Sequence, residues 1–435
     1  MTPTIFAVST PQGVSAISII RISGPESFKA ADKLFRLDKS VSLEMRKTYL
    51  RKVFSKTGRL LDECLVIFFE KGKSFTGENM VELHLHGSHI VVKTVLESLS
   101  ELNYLKQAEA GEFTKKALEN NKLNLFEVEG LSDLLVAETE AQQKQALNTY
   151  SGVMSKKIEG WKNIITKMLS LVEASIDFSE EVNNNDIVNS IRPYLKDLQK
   201  ELNSEKDGFK AAESIRDGFE VAFVGKPNVG KSTILNRLAR RNLSITSEIS
   251  GTTRDIIELR FNLNGIPITF LDTAGIRYTK NKIEKIGVSN TIDRVNNSDI
   301  RVFLTENKEE IKSYGVNFLD SDLIIRPKGD IFGSEPSISG KTGKGFDFLL
   351  ERLKVNFQKK IKQASLISRT RHLEKVVWSL KHLKKIATHM DNDCFEIEII
   401  AEEFRNILRN FDGLLGLVDT EDILGEIFSN FCIGK

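Results

Sequence analysis

The densest chemistry in the chain lies at Gly225-Lys-Pro-Asn-Val-Gly230-Lys231-Ser232, between the apolar run Val221-Ala-Phe-Val224 and a periodic segment with Ile234, Leu235 and Leu238. Strand, glycine-rich turn and helix in that order make a phosphate-binding loop. Glycines let backbone N–H groups wrap an oxyanion, and a helix N-terminus adds a favourable field. Within Asn228, Val229, Gly230, Lys231, Ser232 and Thr233, the Lys231 ammonium is expected to act on the β- and γ-phosphates. The Ser232 hydroxyl is expected to ligate Mg2+.

Two further elements belong to the same chemistry. The apolar run from Ile266 to Leu271 ends at Asp272, Thr273, Ala274 and Gly275, where such folds place a carboxylate near the metal and a glycine N–H near the γ-phosphate. Upstream, Gly251, Thr252 and Thr253 resemble a threonine-bearing switch, with Thr253 the candidate second hydroxyl on Mg2+. After Leu323-Ile-Ile-Arg326 come Pro327, Lys328, Gly329 and Asp330. Lys328 and Asp330 match an Asn-Lys-x-Asp base-recognition element, but proline stands at the asparagine position. That substitution weakens base anchoring by about 1–2 kcal/mol, the worth of one side-chain hydrogen bond. Ser339, Gly340 and Lys341 then resemble the segment whose backbone N–H meets the guanine O6. Guanine is favoured over adenine, mainly on Asp330, and GTP is the expected nucleotide.

Ile276 and Arg277 follow Gly275, so the glutamine that often positions the attacking water is missing and another group must stabilise the transferring phosphoryl. One reading is a monovalent cation, with the Asn228 side chain and carbonyls of the loop Ser247, Glu248, Ile249, Ser250, Gly251 and Thr252 as ligands. The other reading takes Asn228 simply as a turn former. Glu284, within Lys282-Ile-Glu-Lys285, reads by itself as a solvated carboxylate.

Three kinds of segment must carry these residues. The first ~118 residues read as α+β: Ala16 to Ile22 and Leu65 to Phe69 are apolar runs, and Val81, Leu83 and Leu85 alternate with Glu82, His84 and His86, the period of a half-buried strand. From Leu123 to Leu202 the period is helical, as in Ile164, Ile165, Met168, Leu169, Val172 and Ile176, with Asn183-Asn184-Asn185-Asp186 read as a loop. Strands alternate with helices from Val221 to about Ile338, an α/β arrangement with a mainly parallel sheet. Helical period returns after about Ile361. Either the segments lie in series or the α/β unit is inserted into one helical domain; the pattern allows both.

The 435 residues, 40% hydrophobic and 28% charged, suit a soluble multidomain chain. Lys plus Arg (62) nearly balances Asp plus Glu (60), so net charge neither requires nor excludes a nucleic-acid partner. Cys64, Cys394 and Cys432 give no disulfide framework or zinc spacing. Neither a signal peptide nor a membrane span is read, and a cytoplasmic location is expected. Cys432 by composition is a buried apolar residue. His84 and His86 share a strand face without a third ligand, which favours a solvated face over a metal site. Arg21 lies in an otherwise apolar strand, either as an edge arginine or as a group with a purpose.

The whole chain resembles the tRNA modification GTPases known as MnmE or TrmE. The resemblance rests on Ile19-Ile-Arg-Ile-Ser-Gly24, Ser74-Phe-Thr-Gly-Glu78, Gly111-Glu-Phe-Thr-Lys115, Ile176-Asp-Phe178, Asp272-Thr-Ala-Gly275 and Phe431-Cys-Ile-Gly-Lys435. It implies a folate-binding and dimerisation domain over 1–118 and a helical domain over 119–212 and 361–435. A P-loop GTPase domain over 213–360 interrupts the latter. It implies a homodimer, K+-stimulated hydrolysis, a flavin-containing partner (MnmG, or GidA), a one-carbon tetrahydrofolate, and tRNA modified at carbon 5 of the wobble uridine. Residue by residue it implies K+ ligands at Asn228, Ser247, Ile249 and Thr252, and Mg2+ at Ser232 and Thr253. A water-orienting role falls to Glu284, a functional cysteine at Cys432, and folate contacts at Arg21, Glu82, Lys122 and Lys435. Departures are Pro327, Ser247 for the usual threonine, Ser88 after His86-Gly, and Asn121 and Asn124 where glycine and aspartate are common. The alternative function is a nucleotide-switched GTPase of ribosome assembly, which would require a dedicated RNA-binding domain after the GTPase segment.

Overall fold

The computed structural model describes residues 3–36, 44–177, 184–240, 257–272, 291–331, 336–391, 396–416, 431 and 434. These divide into two compact units, one of residues 1–132 with 411–435 and one of residues 133–410.

The first unit is built on β1 (Thr4–Val8), β2 (Ser15–Ser23), α1 (Ser27–Phe35), β3 (Thr48–Phe54), β4 (Leu60–Phe69), β5 (Met80–Gly87), α2 (His89–Ser100), β6 (Leu105–Gln107) and α3 (Glu112–Glu119). Its six strands lie in the order β3-β4-β5-β2-β1-β6, antiparallel except for the β1–β6 edge. Alternation in β5 is as the sequence reads: Val81, Leu83 and Leu85 are buried, Glu82 and His84 half-buried and His86 exposed. The first set packs with Ile20, Ile22, Val66 and Phe68 under α1 and α2, with Leu34, Val95 and Leu99. Directly opposed residues share a sheet face, so the row Ala7↔Arg21↔Glu82 lies on the other face. There Ile5 and Ala7 pack with Phe113 of α3 and with Phe75.

Next comes α4 (Leu125–Val136), and here two departures from the family pattern acquire reasons. Asn121 has φ +55°, a left-handed conformation that glycine adopts freely and asparagine tolerates better than other residues. Asn124 caps α4 reciprocally: its Oδ1 accepts from the Glu127 N–H at 3.1 Å, and the Glu127 carboxylate accepts from the Asn124 N–H at 2.9 Å. Asparagine and aspartate serve equally in such a capping box.

The second unit contains α5 (Glu140–Tyr150), α6 (Val153–Asp177), α7 (Asn184–Asp217), β7 (Phe219–Val224), α8 (Lys231–Ala239), β8 (Ile257–Leu263), β9 (Ile266–Asp272), β10 (Ile300–Leu304), β11 (Leu323–Pro327), β12 (Ser337–Ile338), α9 (Phe346–Lys362), α10 (Thr370–Met390) and the start of α11 (Ile397–Leu415). The loop expected at 183–186 needs correction. Residues 184–186 form the first turn of α7, and Asn183 lies outside the described residues. Short polar side chains favour helix starts as much as loops, and Asp186 meets the positive helix end.

The second sheet has the order β12-β11-β10-β7-β9-β8. All its pairings are parallel except β8–β9, and the inner strands β7, β9 and β10 are buried on almost every residue and read as largely apolar runs. Ile234, Leu235 and Leu238 of α8 and Leu349, Leu353 and Phe357 of α9 close its core. The helix that feeds the sheet, α7, packs against α10, the helix that comes after the sheet and α9. The parallel sheet is thus carried as an insertion within the helical segment.

Candidate functional site

The central strand β7 delivers the chain to the loop 225–230, and α8 begins at Lys231. Gly230 has φ +109°, a conformation that side chains with a Cβ rarely adopt. It turns the chain so that the α8 N-terminus faces the loop. Asn228 has φ +62° and an exposed side chain. Lys231 is buried, and its Nζ donates to the carbonyls of Gly225 at 2.7 Å and Lys226 at 3.2 Å. The ammonium therefore lies across the mouth of the loop it closes. Asp272, at the end of the neighbouring strand β9, is 2% exposed and accepts from the Ser232 hydroxyl at 2.9 Å. A hydroxyl and a carboxylate converging on one point form a hard-oxygen pair of the kind Mg2+ takes beside phosphate. Residues on α8 and on β9 thus meet at the carboxyl ends of adjacent parallel strands, where α/β sheets bind ligands.

The base-recognition segment follows β11. Pro327 is buried and pairs in register with Ile338 of β12. Strand pairing passes around its missing donor, since the N–H groups of Arg326 and Gly329 donate to the Pro336 and Ile338 carbonyls. Lys328 turns at φ +55°, and Asp330 is exposed beyond it. A hydrogen bond with Ser339 is the first cause holding the Asp330 carboxyl below its ordinary value of 3.8, and the Lys341 and Lys328 ammoniums add to it. Gly340 lies so close to α8 that a Cβ there would be 2.9 Å from the Ile234 nitrogen.

A pH prediction follows from the sign of that shift. A carboxylate with a lowered pKa is protonated only as pH falls through a value below 3.8. Asp330 therefore stays an acceptor for guanine N–H groups across the mildly acid range. Nucleotide affinity is expected to show no Asp330-dependent loss between about pH 7 and 5. Calorimetric titration of the parent and Asp330→Asn across that window checks this, and a midpoint present only in the parent would contradict it.

On the first unit, Arg21 and Glu82 come together: Nε and Nη2 of Arg21 donate to Glu82 Oε1 at 3.0 and 2.8 Å. The guanidinium lies 5.4 Å from the Phe75 ring centroid and 5.7 Å from that of Phe113. Lys122 donates to the Gly72 carbonyl at 2.8 Å, at the base of the loop that carries Phe75. The sequence reading missed the support beneath this loop. Lys116 Nζ donates to both Glu78 carboxylate oxygens, at 3.0 and 2.9 Å, and to the Pro3 carbonyl at 3.0 Å. Ser23 donates to Glu78 at 3.0 Å and shares a hydrogen bond with Thr76 at 2.7 Å. The available signal was a lysine three residues after Phe113, on the apolar face of α3, where ammoniums are seldom buried without partners.

His86 pairs with Asp62 at 2.7 Å, and His84 lies 3.6 Å from Glu82. Among the described residues no cluster of three or more His, Cys, Asp or Glu side chains is placed to hold a metal. Burial pushes the Cys64 thiol up to about 12. Ser247, Glu248, Ile249, Ser250, Gly251, Thr252, Thr253, Thr273, Ala274, Gly275, Glu284, Cys432 and Lys435 lie outside the described residues. Gly434 is described: its carbonyl accepts from the Ser9 hydroxyl at 3.0 Å, and its φ is +97°. Phe431 is buried against Val128. Among the described residues no helix is long and apolar enough to cross a membrane.

Comparison with known proteins matches residues 4–122 to the family described as GTP-binding protein TrmE N-terminus, and residues 125–432 to the MnmE helical domain. The tRNA modification GTPase MnmE of Roseobacter denitrificans is 42% identical over 434 residues, covering 99% of this chain and 100% of that protein. The chain belongs to the MnmE family of tRNA modification GTPases. The MnmE of Cereibacter sphaeroides is likewise 42% identical over 434 residues, with 99% and 100% coverage. A crystal structure of Aquifex aeolicus Era bound to GDP.AlF4- is 27% identical, covers 32% of this chain and 56% of that one, and has a TM-score of 0.23. In MnmE terms, the Arg21–Glu82 pair belongs to the TrmE N-terminal domain, and the P-loop sheet falls within the span of the helical-domain match.

Proposed function

We propose that this chain is a GTP hydrolase that acts in tRNA modification, stimulated by K+ and working with a flavin-containing MnmG-type partner at carbon 5 of the wobble uridine. One observation carries the reading: a P-loop with Lys231, Ser232 and Asp272 converging, in a chain related along 99% of its length to proteins named tRNA modification GTPase MnmE. In this reading Lys231 draws charge from the β- and γ-phosphates, and Asp330 accepts from guanine. Ser232, Asp272 and Thr253 would hold Mg2+, which neutralises phosphate charge when bound. Asn228, Ser247, Ile249 and Thr252 would hold K+, and Glu284 would orient the water that attacks the γ-phosphorus as the bond to the β-phosphate oxygen breaks.

The N-terminal domain takes a one-carbon tetrahydrofolate in this reading, with Arg21, Glu82, Lys122 and Lys435 as contacts. Support comes from the half-buried Arg21–Glu82 pair with two aromatic rings beside it, a place where a flat, polar heterocycle finds both stacking and hydrogen bonds. The protein acts as a homodimer in the cytoplasm. Mass analysis of tRNA wobble nucleosides from cells with and without the chain tests the function: loss of the carbon-5 group is expected, and an unchanged nucleoside profile would overturn it. Hydrolysis is expected to be faster in K+ than in Na+ at equal ionic strength, and equal rates would remove the cation role of Asn228.

A further inference from the structure

The base-recognition segments face a mechanical problem. Pro327 occupies the position where a hydrogen-bonding asparagine side chain is expected, and it offers no such group. Something else must fix the loop 339–343 relative to the phosphate site.

Arg237 meets that need. It lies on α8, six residues after Lys231, and is half-buried. Its Nη1 donates to the Lys341 carbonyl, and its Nη2 donates to the Thr342 carbonyl at 2.9 Å. The guanidinium also lies flat enough beneath the loop that a Cβ on Gly343 would be 2.8 Å from Nε. One planar fork thus takes two consecutive carbonyls, which fixes both distance and orientation. Within the loop the Ser339 hydroxyl accepts from the Thr342 N–H at 3.2 Å, and the Ile338 carbonyl just before it accepts from the N–H of Gly329, the neighbour of Asp330, at 3.0 Å. A continuous chain of contacts therefore runs from α8 through Arg237, Thr342 and Ser339, and across the Gly329–Ile338 hydrogen bond, to the segment that carries Asp330. The same helix carries Lys231 and Ser232 at its other end.

We propose that Arg237 is a positioning residue for guanine, tying the base loop to the P-loop helix in place of the tie that Pro327 lacks. This rests on the reading of the site as a GTP site. Arg237 touches neither base nor phosphate in this account; it sets where Asp330 and the 339–341 backbone stand.

The test uses the full-length protein, mant-GDP dissociation and steady-state GTP hydrolysis. Arg237→Gln is expected to speed mant-GDP release by about tenfold, the effect of losing two charge-assisted hydrogen bonds on a surface loop. Saturated kcat is expected to stay within about threefold, because the phosphate groups are untouched. Arg237→Lys, with one ammonium for two carbonyls, should fall between parent and Arg237→Gln. Pro327→Asn should recover more affinity in the Arg237→Gln background than it adds to the parent. Unchanged release in Arg237→Gln, or strict additivity with Pro327→Asn, would overturn the proposal while leaving the GTP site standing. A parent protein that binds no mant-GDP would remove the GTP reading itself, and this proposal with it.

Discussion

Replacing Lys231 by alanine is expected to lower GTP hydrolysis by about 10²–10³-fold, the usual effect of losing a donor aimed at developing transition-state charge. The ammonium is buried at the loop mouth, held on the Gly225 and Lys226 carbonyls. Those carbonyls carry only partial negative charge, so a triphosphate competes for the ammonium on favourable terms. Single-turnover hydrolysis at saturating GTP measures the loss directly, and circular dichroism checks that the helices persist. A variant hydrolysing within about tenfold of the parent would show that the loop's backbone amides suffice, contrary to the geometry argued above.

The second large effect concerns stability. Lys116→Met leaves the Glu78 carboxylate inside the first unit without its cation, while Ser23 remains as a donor. Side-chain exposures of 5% for Lys116 and 11% for Glu78 mean that water cannot replace the ammonium. Breaking one side of such a pair costs about 3–5 kcal/mol, because an uncompensated charge stays buried. The damage should spread to the loop 74–78, since Ser74 donates to the Glu78 carbonyl and Asn120 to that of Thr76, and the same loop presents Phe75 to Arg21. Both tryptophans, Trp161 and Trp378, belong to the other unit, so their fluorescence is a poor reporter here. Amide hydrogen exchange in peptides covering 72–87 is the better measurement, with faster exchange expected. The paired change Lys116→Met with Glu78→Leu should recover much of the loss. If the single variant exchanged like the parent, the pair would be no anchor.

The nucleotide site was readable because its chemistry is local. A strand, six loop residues and a helix start follow one another directly from Val221 to Leu238, and each piece has a sequence signature. The parallel sheet was readable for a related reason: strands buried on both faces are apolar along most of their length, as in β9 and β10, which only Thr269, Asp272 and Arg301 interrupt. What escaped notice depends on partners distant in sequence. Arg237 meets carbonyls 104 and 105 residues away, and no local pattern announces which backbone an arginine will reach. Lys116 meets Glu78 across 38 residues, and the neighbours of neither residue in sequence announce the other. Asn184 to Asp186 read as a loop but begin α7, because the residues that end loops and those that begin helices are the same few types.

The bond from Ser9 to Gly434 joins residues 425 positions apart within one unit. A Cβ at position 434 would approach the Val8 carbonyl to 2.0 Å, so Gly434 is fitted closely against β1. During translation, then, β1 emerges long before Gly434 and Phe431, which meet Ser9 and Val128. Between those two moments Val128, Leu118, Leu123 and Leu131 are without Phe431, while residues 133–410 of the other unit are synthesised. The first unit therefore begins before the second and receives its last residues after it, which lengthens the time its apolar surface needs protection from aggregation.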